Sequence, residues 1–146
     1  MFAQQQVADS LHNKLATSKN ASEKLESYIS LASQQKHQYP IEGKKLLTLA
    51  KAIAIQLKDT VHLFKIAEIE ADIYYILGET EKEISVIKDA VLLVQQYKNK
   101  QLEARALKLL GNAYSETSDY DKQLNSYLKS FTIAEKLQDT TLLVSL

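Results

Sequence analysis

Apolar residues recur at Phe64, Ala67, Ala71, Tyr74 and Leu77, and again at Leu107, Leu110, Gly111 and Tyr114. Spacings of three and four put each set on one face of a helix. Both stretches run into turn formers, Gly78-Glu79-Thr80 and Thr117-Ser118-Asp119. There Thr80 with Glu83, and Ser118 with Asp121, have the spacing of capping boxes. Second helices are therefore predicted over about 80–98 and 120–138. Earlier in the chain Pro40 suits the opening of a helix over about 41–58, preceded by one over about 21–37. Asp9–Ser18 reads as a short extra helix that covers the open face of the first hairpin.

The pattern repeats. Slid along itself, the chain lays "ADIYYILGETEKEISVIKDAVLLVQQYKN" (71–99) on "GNAYSETSDYDKQLNSYLKSFTIAEKLQD" (111–139). Tyr74 then meets Tyr114, Ala90 meets Ser130 and Leu93 meets Ile133. A second, equal shift brings in "GKKLLTLAKAIAIQLKD" (43–59), so that Ala50 joins Ala90 and Ser130, and Asp59 joins Asn99 and Asp139. Self-similarity at such a period predicts a stack of helical hairpins. The expected organisation is an N-terminal segment with a capping helix (1–20), three hairpins (21–59, 60–99 and 100–139) and the start of a further first helix, cut short (140–146).

Within the third unit, "ALKLLGNAYSETSDYDKQLNSYLKSFTIAEKL" resembles a tetratricopeptide repeat through Leu110, Gly111, Tyr114, Asp119-Tyr120, Tyr127 and Ser130. Gln123 departs from that pattern, where alanine is usual. The second unit matches at Ala71, Tyr74, Gly78 and Ala90, with Glu83 departing at the same small position; the first matches through Gly43, Leu47 and Ala50. The resemblance implies an all-α, right-handed superhelix of three hairpins after a short N-terminal helix. It also explains a glycine inside a helix, where it costs about 1 kcal/mol against alanine: Gly111, like Ala71, removes volume where the partner helix packs.

Units of this length, ending in "IAEKLQD" or "IAIQLKD", resemble the long repeats in the input half of bacterial signalling proteins: sensor histidine kinases of two-component systems, diguanylate cyclases and transcription regulators. The implied function is a non-catalytic sensory and protein-binding or peptide-binding module, with self-association as a homodimer. Any output domain then lies beyond Leu146. A structural assembly or co-chaperone-like adaptor is the alternative. By the same resemblance the first helices line a concave groove, with Lys65, Glu68, Asp72 and Tyr75 on one and Arg105, Lys108, Asn112 and Ser115 on the next. Lys108 and Asn112 match the residues that open the carboxylate clamp of chaperone-binding tetratricopeptide domains, though its remaining residues are absent. A plain groove in which Glu68 neutralises Lys108 is the expectation.

Composition narrows the chemistry. The chain of 146 residues balances 18 basic against 18 acidic residues, which favours neither nucleic acid nor an anionic membrane as a direct partner. It has no cysteine, so thiol nucleophiles and thiolate metal sites are excluded. Three glycines and one proline suit an all-helical chain, and no apolar run approaches membrane-spanning length. His12, His37 and His62 fall in different units without metal-ligand spacing, and read as solvated surface residues. Glu68 and Asp72 share a helix face but lack a third ligand, so no metal or cofactor is expected. Tyr74, Tyr114, Tyr120 and Tyr127 read as packing residues. Phe2-Ala3-Gln4 resembles the tail left around a secretory cleavage site with Met1 supplied as a start residue, which suggests the periplasm, with the cytoplasm as the alternative.

Overall fold

The structure, a computed structural model, describes residues 2–18 and 20–146, with backbone only at 4, 8 and 15. Among the described residues the chain is helical throughout, with no strand. The helices are α1 (Phe2–Thr17), α2 (Ala21–Gln35), α3 (Pro40–Gln56), α4 (Thr60–Ile76), α5 (Thr80–Gln96), α6 (Lys100–Glu116), α7 (Tyr120–Leu137) and α8 (Thr140–Ser145). From α3 onward they begin at an even period, at Pro40, Thr60, Thr80, Lys100, Tyr120 and Thr140. Among the described residues no helix is long and apolar enough to cross a membrane.

A short connection, used repeatedly, sets this period. After α3, Lys58 takes the left-handed conformation (φ 53°), and Lys98, Ser118 and Gln138 do the same after α5, α6 and α7. The next residue, Asp59, Asn99, Asp119 or Asp139, donates its backbone N–H to the carbonyl of Ala54, Val94, Tyr114 or Ala134, the six-to-one bond that closes a helix. Its side chain then accepts the backbone N–H of His62, Leu102, Lys122 or Leu142 and opens the following helix. The turn after α4 uses Gly78 (φ 70°) at the left-handed position, and there Glu79 makes no side-chain cap. The capping boxes expected at Thr80 and Ser118 are therefore misplaced by one position. Thr80 is already inside α5, and the left-handed backbone of Ser118 leaves Asp119 to cap α7.

Two compact units result, one ending at Leu77 and the other beginning at Gly78. The boundary falls inside the stretch 60–99, so α4 belongs to the first unit and α5 to the second. In the first, α2 packs between α1 and α3, and α4 packs on α3 and touches α2. Its core joins Leu25, Ile29 and Ala32 of α2, Leu47, Ala50 and Ala54 of α3, and Ile66, Ile69 and Ile73 of α4. The buried leucines and isoleucines among them each stabilise by about 1.5–3 kcal/mol. In the second, α6 packs against both α5 and α7, and α8 lies on α7. Ala50, Ala90 and Ser130, aligned by the repeat, are all buried, as are Ala54, Val94 and Ala134 one turn on. Ser130 places its hydroxyl in the second unit's interior by donating to the Ala104 carbonyl at 2.6 Å.

α1 is longer than the short helix expected over Asp9–Ser18, reaching back through the stretch read as a leader remnant. Its residues include no glycine or proline to stop it. The C-terminal "TTLLVSL" forms α8, which folds over the chain's own last hairpin: Leu142 is buried against Ala104 and Ala134, with Ile133, Leu143 and Leu146 around them.

Candidate interaction faces on α4 and α6

Helical geometry carries Lys65, Glu68, Asp72 and Tyr75 on one side of α4, because steps of three, four and three return to the same face. The other side buries Phe64, Ile66, Ile69 and Ile73. Lys65, Asp72 and Tyr75 are exposed and Glu68 is half-buried. Asp72 is held from the end of α2, where Lys36 brings its Nζ to 2.5 Å from Oδ2. Lys36 is mostly covered while Asp72 stays half open, so the pair neutralises part of this face and leaves Lys65 and the 58%-exposed Tyr75 as its outward groups. Away from that face, Lys44 of α3 stands 4.5 Å over the ring of Tyr74.

On α6 the set one repeat later, Arg105, Lys108, Asn112 and Ser115, again shares one side, opposite the buried Ala104, Ala106, Leu107, Leu110 and Ala113. Arg105, Asn112 and Ser115 are exposed and Lys108 is half-buried. Asn112 and Ser115 are engaged within the unit. Ser115 donates its hydroxyl to the Asn112 carbonyl at 2.5 Å, and the Asn112 Oδ1 accepts the hydroxyl of Tyr127 at 2.7 Å. The asparagine that matches a clamp residue is thus oriented by its own hairpin, oxygen toward α7.

Tyr127 also explains Gly111. A Cβ at that position would lie 2.6 Å from Cε1 and 2.7 Å from Cδ1 of the ring. Carbon atoms do not approach that closely without displacement, so the bare backbone of Gly111 is the surface on which the tyrosine lies. Its hydroxyl then reaches the neighbouring Asn112. Repeat spacing assigns Tyr127 to packing and carries no signal of this polar role; it gives none for Lys36 either.

Charged groups elsewhere are engaged at the ends of helices. Burial raises the Asp59 carboxyl, but the backbone N–H and ring of His62 outweigh it and hold the group below its ordinary value. The ring Nδ1 is 2.6 Å from Asp59 Oδ2. His62 is therefore half-buried and paired, a correction to its reading as a solvated surface residue; its place at the third position of α4 brings it to the cap. Glu103, buried between α5 and α6, is also lowered: burial raises it, and hydrogen bonds from Lys100 (2.7 Å) and Gln95 (2.9 Å) outweigh that. Tyr114 is buried as expected, whereas Tyr120, the first residue of α7, is 69% exposed, a correction to its reading as a packing residue.

An open groove of about 370 Å³ lies in the first unit between α1 and α2, with Lys14, Glu23, Glu26, Ser27 and Ser30 among its walls. Among the described residues no three histidine or carboxylate side chains gather as a metal site. No protein-family model matches the chain, and no curated protein matches it significantly.

Proposed function

We propose that the chain is a tetratricopeptide-like, non-catalytic module whose first helices present polar faces to an extended peptide or protein segment, and that it serves as the input part of a bacterial signalling protein. Support comes from the recurrence of an outward set of side chains at the same register, Lys65, Glu68, Asp72 and Tyr75 on α4 and Arg105, Lys108, Asn112 and Ser115 on α6, behind which the opposite side is buried in the same pattern. Each helix taken by itself offers exposed charged or polar groups suited to polar contacts with an extended segment, and on α4 the exposed ring of Tyr75 adds an apolar anchor. Affinity should be modest, because a short face buries less than the roughly 1,200 Å² of a stable interface.

A peptide-library or pull-down screen tests this, followed by Tyr75→Ala, Lys65→Glu and Arg105→Glu. These residues are exposed, so the variants should fold like the parent. Loss of binding supports the reading; a confirmed partner that binds all three variants as it binds the parent places the site on another surface.

A further inference from the structure

We infer that the groove between α1 and α2 binds a small zwitterion with an excess of positive charge, the class of the free basic amino acids. A buried hydroxyl carries this. Ser27 lines the groove and is only 8% exposed, and its hydroxyl makes no hydrogen bond among the described residues. Two other buried serines do: Ser126 donates to the Lys122 carbonyl one turn back at 2.8 Å, and Ser130 to the Ala104 carbonyl at 2.6 Å. A covered hydroxyl without a partner is unfavourable. The Glu23 carbonyl stands to Ser27 as that of Lys122 does to Ser126, yet the Ser27 hydroxyl does not take it.

The repeat shows that the fold does not require this polarity. Glu26, Ser27 and Ser30 stand, two repeats earlier, at the places of Ala106, Leu107 and Leu110, which are 0%, 6% and 9% exposed. Aliphatic side chains thus close on α6 the wall that α2 makes from a carboxylate and two hydroxyls. Nor is α2 a solvated helix, since its Leu25 and Leu31 are buried. Glu23 stands at the place of Glu103, whose carboxylate is held by Lys100. Where Lys100 would be, α2 has its cap Asn20, which accepts the Glu23 backbone N–H. Among the described residues neither Glu23, nor Glu26, nor Lys14 on the α1 side of the groove takes part in an ion pair. Opposite charges face each other across the groove without meeting.

These groups select a ligand by charge. Glu23 and Glu26, one turn apart, accept from cations, Lys14 donates to a carboxylate, and Ser27 and Ser30 supply hydroxyls. Two carboxylates against one ammonium leave a single negative charge. A basic amino acid, with two cationic groups and one carboxylate, cancels it and engages all three charged side chains; an acidic one does not. At 370 Å³ the groove falls at the lower end of the roughly 300–1,000 Å³ of small-molecule sites. None of these residues belongs to the sets on α4 and α6, so the test is independent of theirs.

Calorimetric titration of the 146-residue protein at low salt should show one-site binding of L-arginine and L-lysine, saturating below about 5 mM, and none of L-glutamate. Agmatine, which lacks the carboxylate, should bind at least ~10-fold more weakly than arginine, and Lys14→Ala should remove the difference. Glu23→Gln with Glu26→Gln should weaken arginine binding at least ~30-fold. Ser27→Ala should weaken it about 5-fold. Ser27→Leu, which copies α6, should abolish it with unchanged helicity; if that variant unfolds, the exposed Glu23 and Glu26 decide. Absence of saturable binding of both amino acids up to about 10 mM overturns the inference. So does binding that survives the double glutamine change, which puts the ligand elsewhere. Agmatine binding as tightly as arginine overturns the zwitterion and the role of Lys14.

Discussion

The hairpins α2–α3 and α6–α7 occupy equivalent places in the repeat, yet they achieve close approach from opposite sides. In α6–α7 the first helix supplies the gap, Gly111, and the second supplies the large group, Tyr127. In α2–α3 the residue at the place of Gly111 is Leu31, 1% exposed, and the residue at the place of Tyr127 is Leu47, 2% exposed. The glycine has moved to the second helix as Gly43, where a Cβ would stand 3.4 Å from the Ala32 carbonyl oxygen and 3.2 Å from Ile73 Cδ1. Volume is thus conserved across the pair of helices and not position by position. Interiors packed as densely as protein cores require that sum to hold, but leave its division free.

The largest expected effect tests this exchange directly. Gly111→Leu should destabilise by about 2–3 kcal/mol, since overpacking against Tyr127 forces a shift of ring or helix. Adding Tyr127→Leu and Gln123→Gly, which copies the α2–α3 arrangement, should recover at least half of that loss in chemical denaturation. A parent-like midpoint for the single variant would falsify the close approach, and absence of recovery would show that the division of volume is not free.

The turns sharpen the comparison at a smaller scale. The α2–α3 turn has no left-handed residue and enters α3 through Pro40, with Tyr39 making no side-chain cap, whereas the α6–α7 turn relies on Ser118 at φ 57° and the cap of Asp119. Asp119→Ala removes that cap and should lower the melting temperature, by less than Gly111→Leu does. Ser118→Gly should stabilise by up to about 1 kcal/mol, because a left-handed backbone strains a residue with a Cβ. Neither change should have a counterpart at Tyr39. Thermal melts of these variants beside Tyr39→Ala check the order.

Acid should separate the same two regions. Asp119 is lowered chiefly by the Lys122 side chain, and Glu103 by Lys100 and Gln95 against the effect of burial. Folded values below the ordinary 3.8 and 4.5 mean that these groups contribute stability above those values and lose it as pH falls through the folded ones. Hydrogen exchange on acidification from about pH 5 to about pH 3 should thus show α6 and the start of α7 losing protection before α2, which is capped by the uncharged Asn20, and Asp119→Asn should reduce that difference. The smallest effect belongs to the surface: Lys36→Ala, which breaks the pair with Asp72, should cost less than about 1 kcal/mol.

Much of this is legible in the residues because apolar spacing and turn composition act locally. The positions of α2 to α7 follow from both, and the small residues Ala50, Ala90 and Ser130 announce the tight contacts. The first repeat is faint for a physical reason: Leu31 stands where a small residue would have signalled the match, and the compensating Gly43 lies on the following helix. The caps Asp59, Asn99 and Asp139 are visible as aligned residues, but only backbone conformation shows that the residue before each is left-handed. The Lys36–Asp72 and Tyr127–Asn112 pairs join positions 36 and 15 apart, a separation at which local periodicity carries no information.

The connections also govern how the chain unravels. Asp59, Asn99, Asp119 and Asp139 each donate the bond that closes one helix and accept the bond that opens the next. An isolated helix frays from both tips independently, but here a tip cannot loosen without releasing its neighbour's. Opening within each unit should therefore propagate through whole turns, so that amide hydrogens on the two sides of a connection exchange at matched rates.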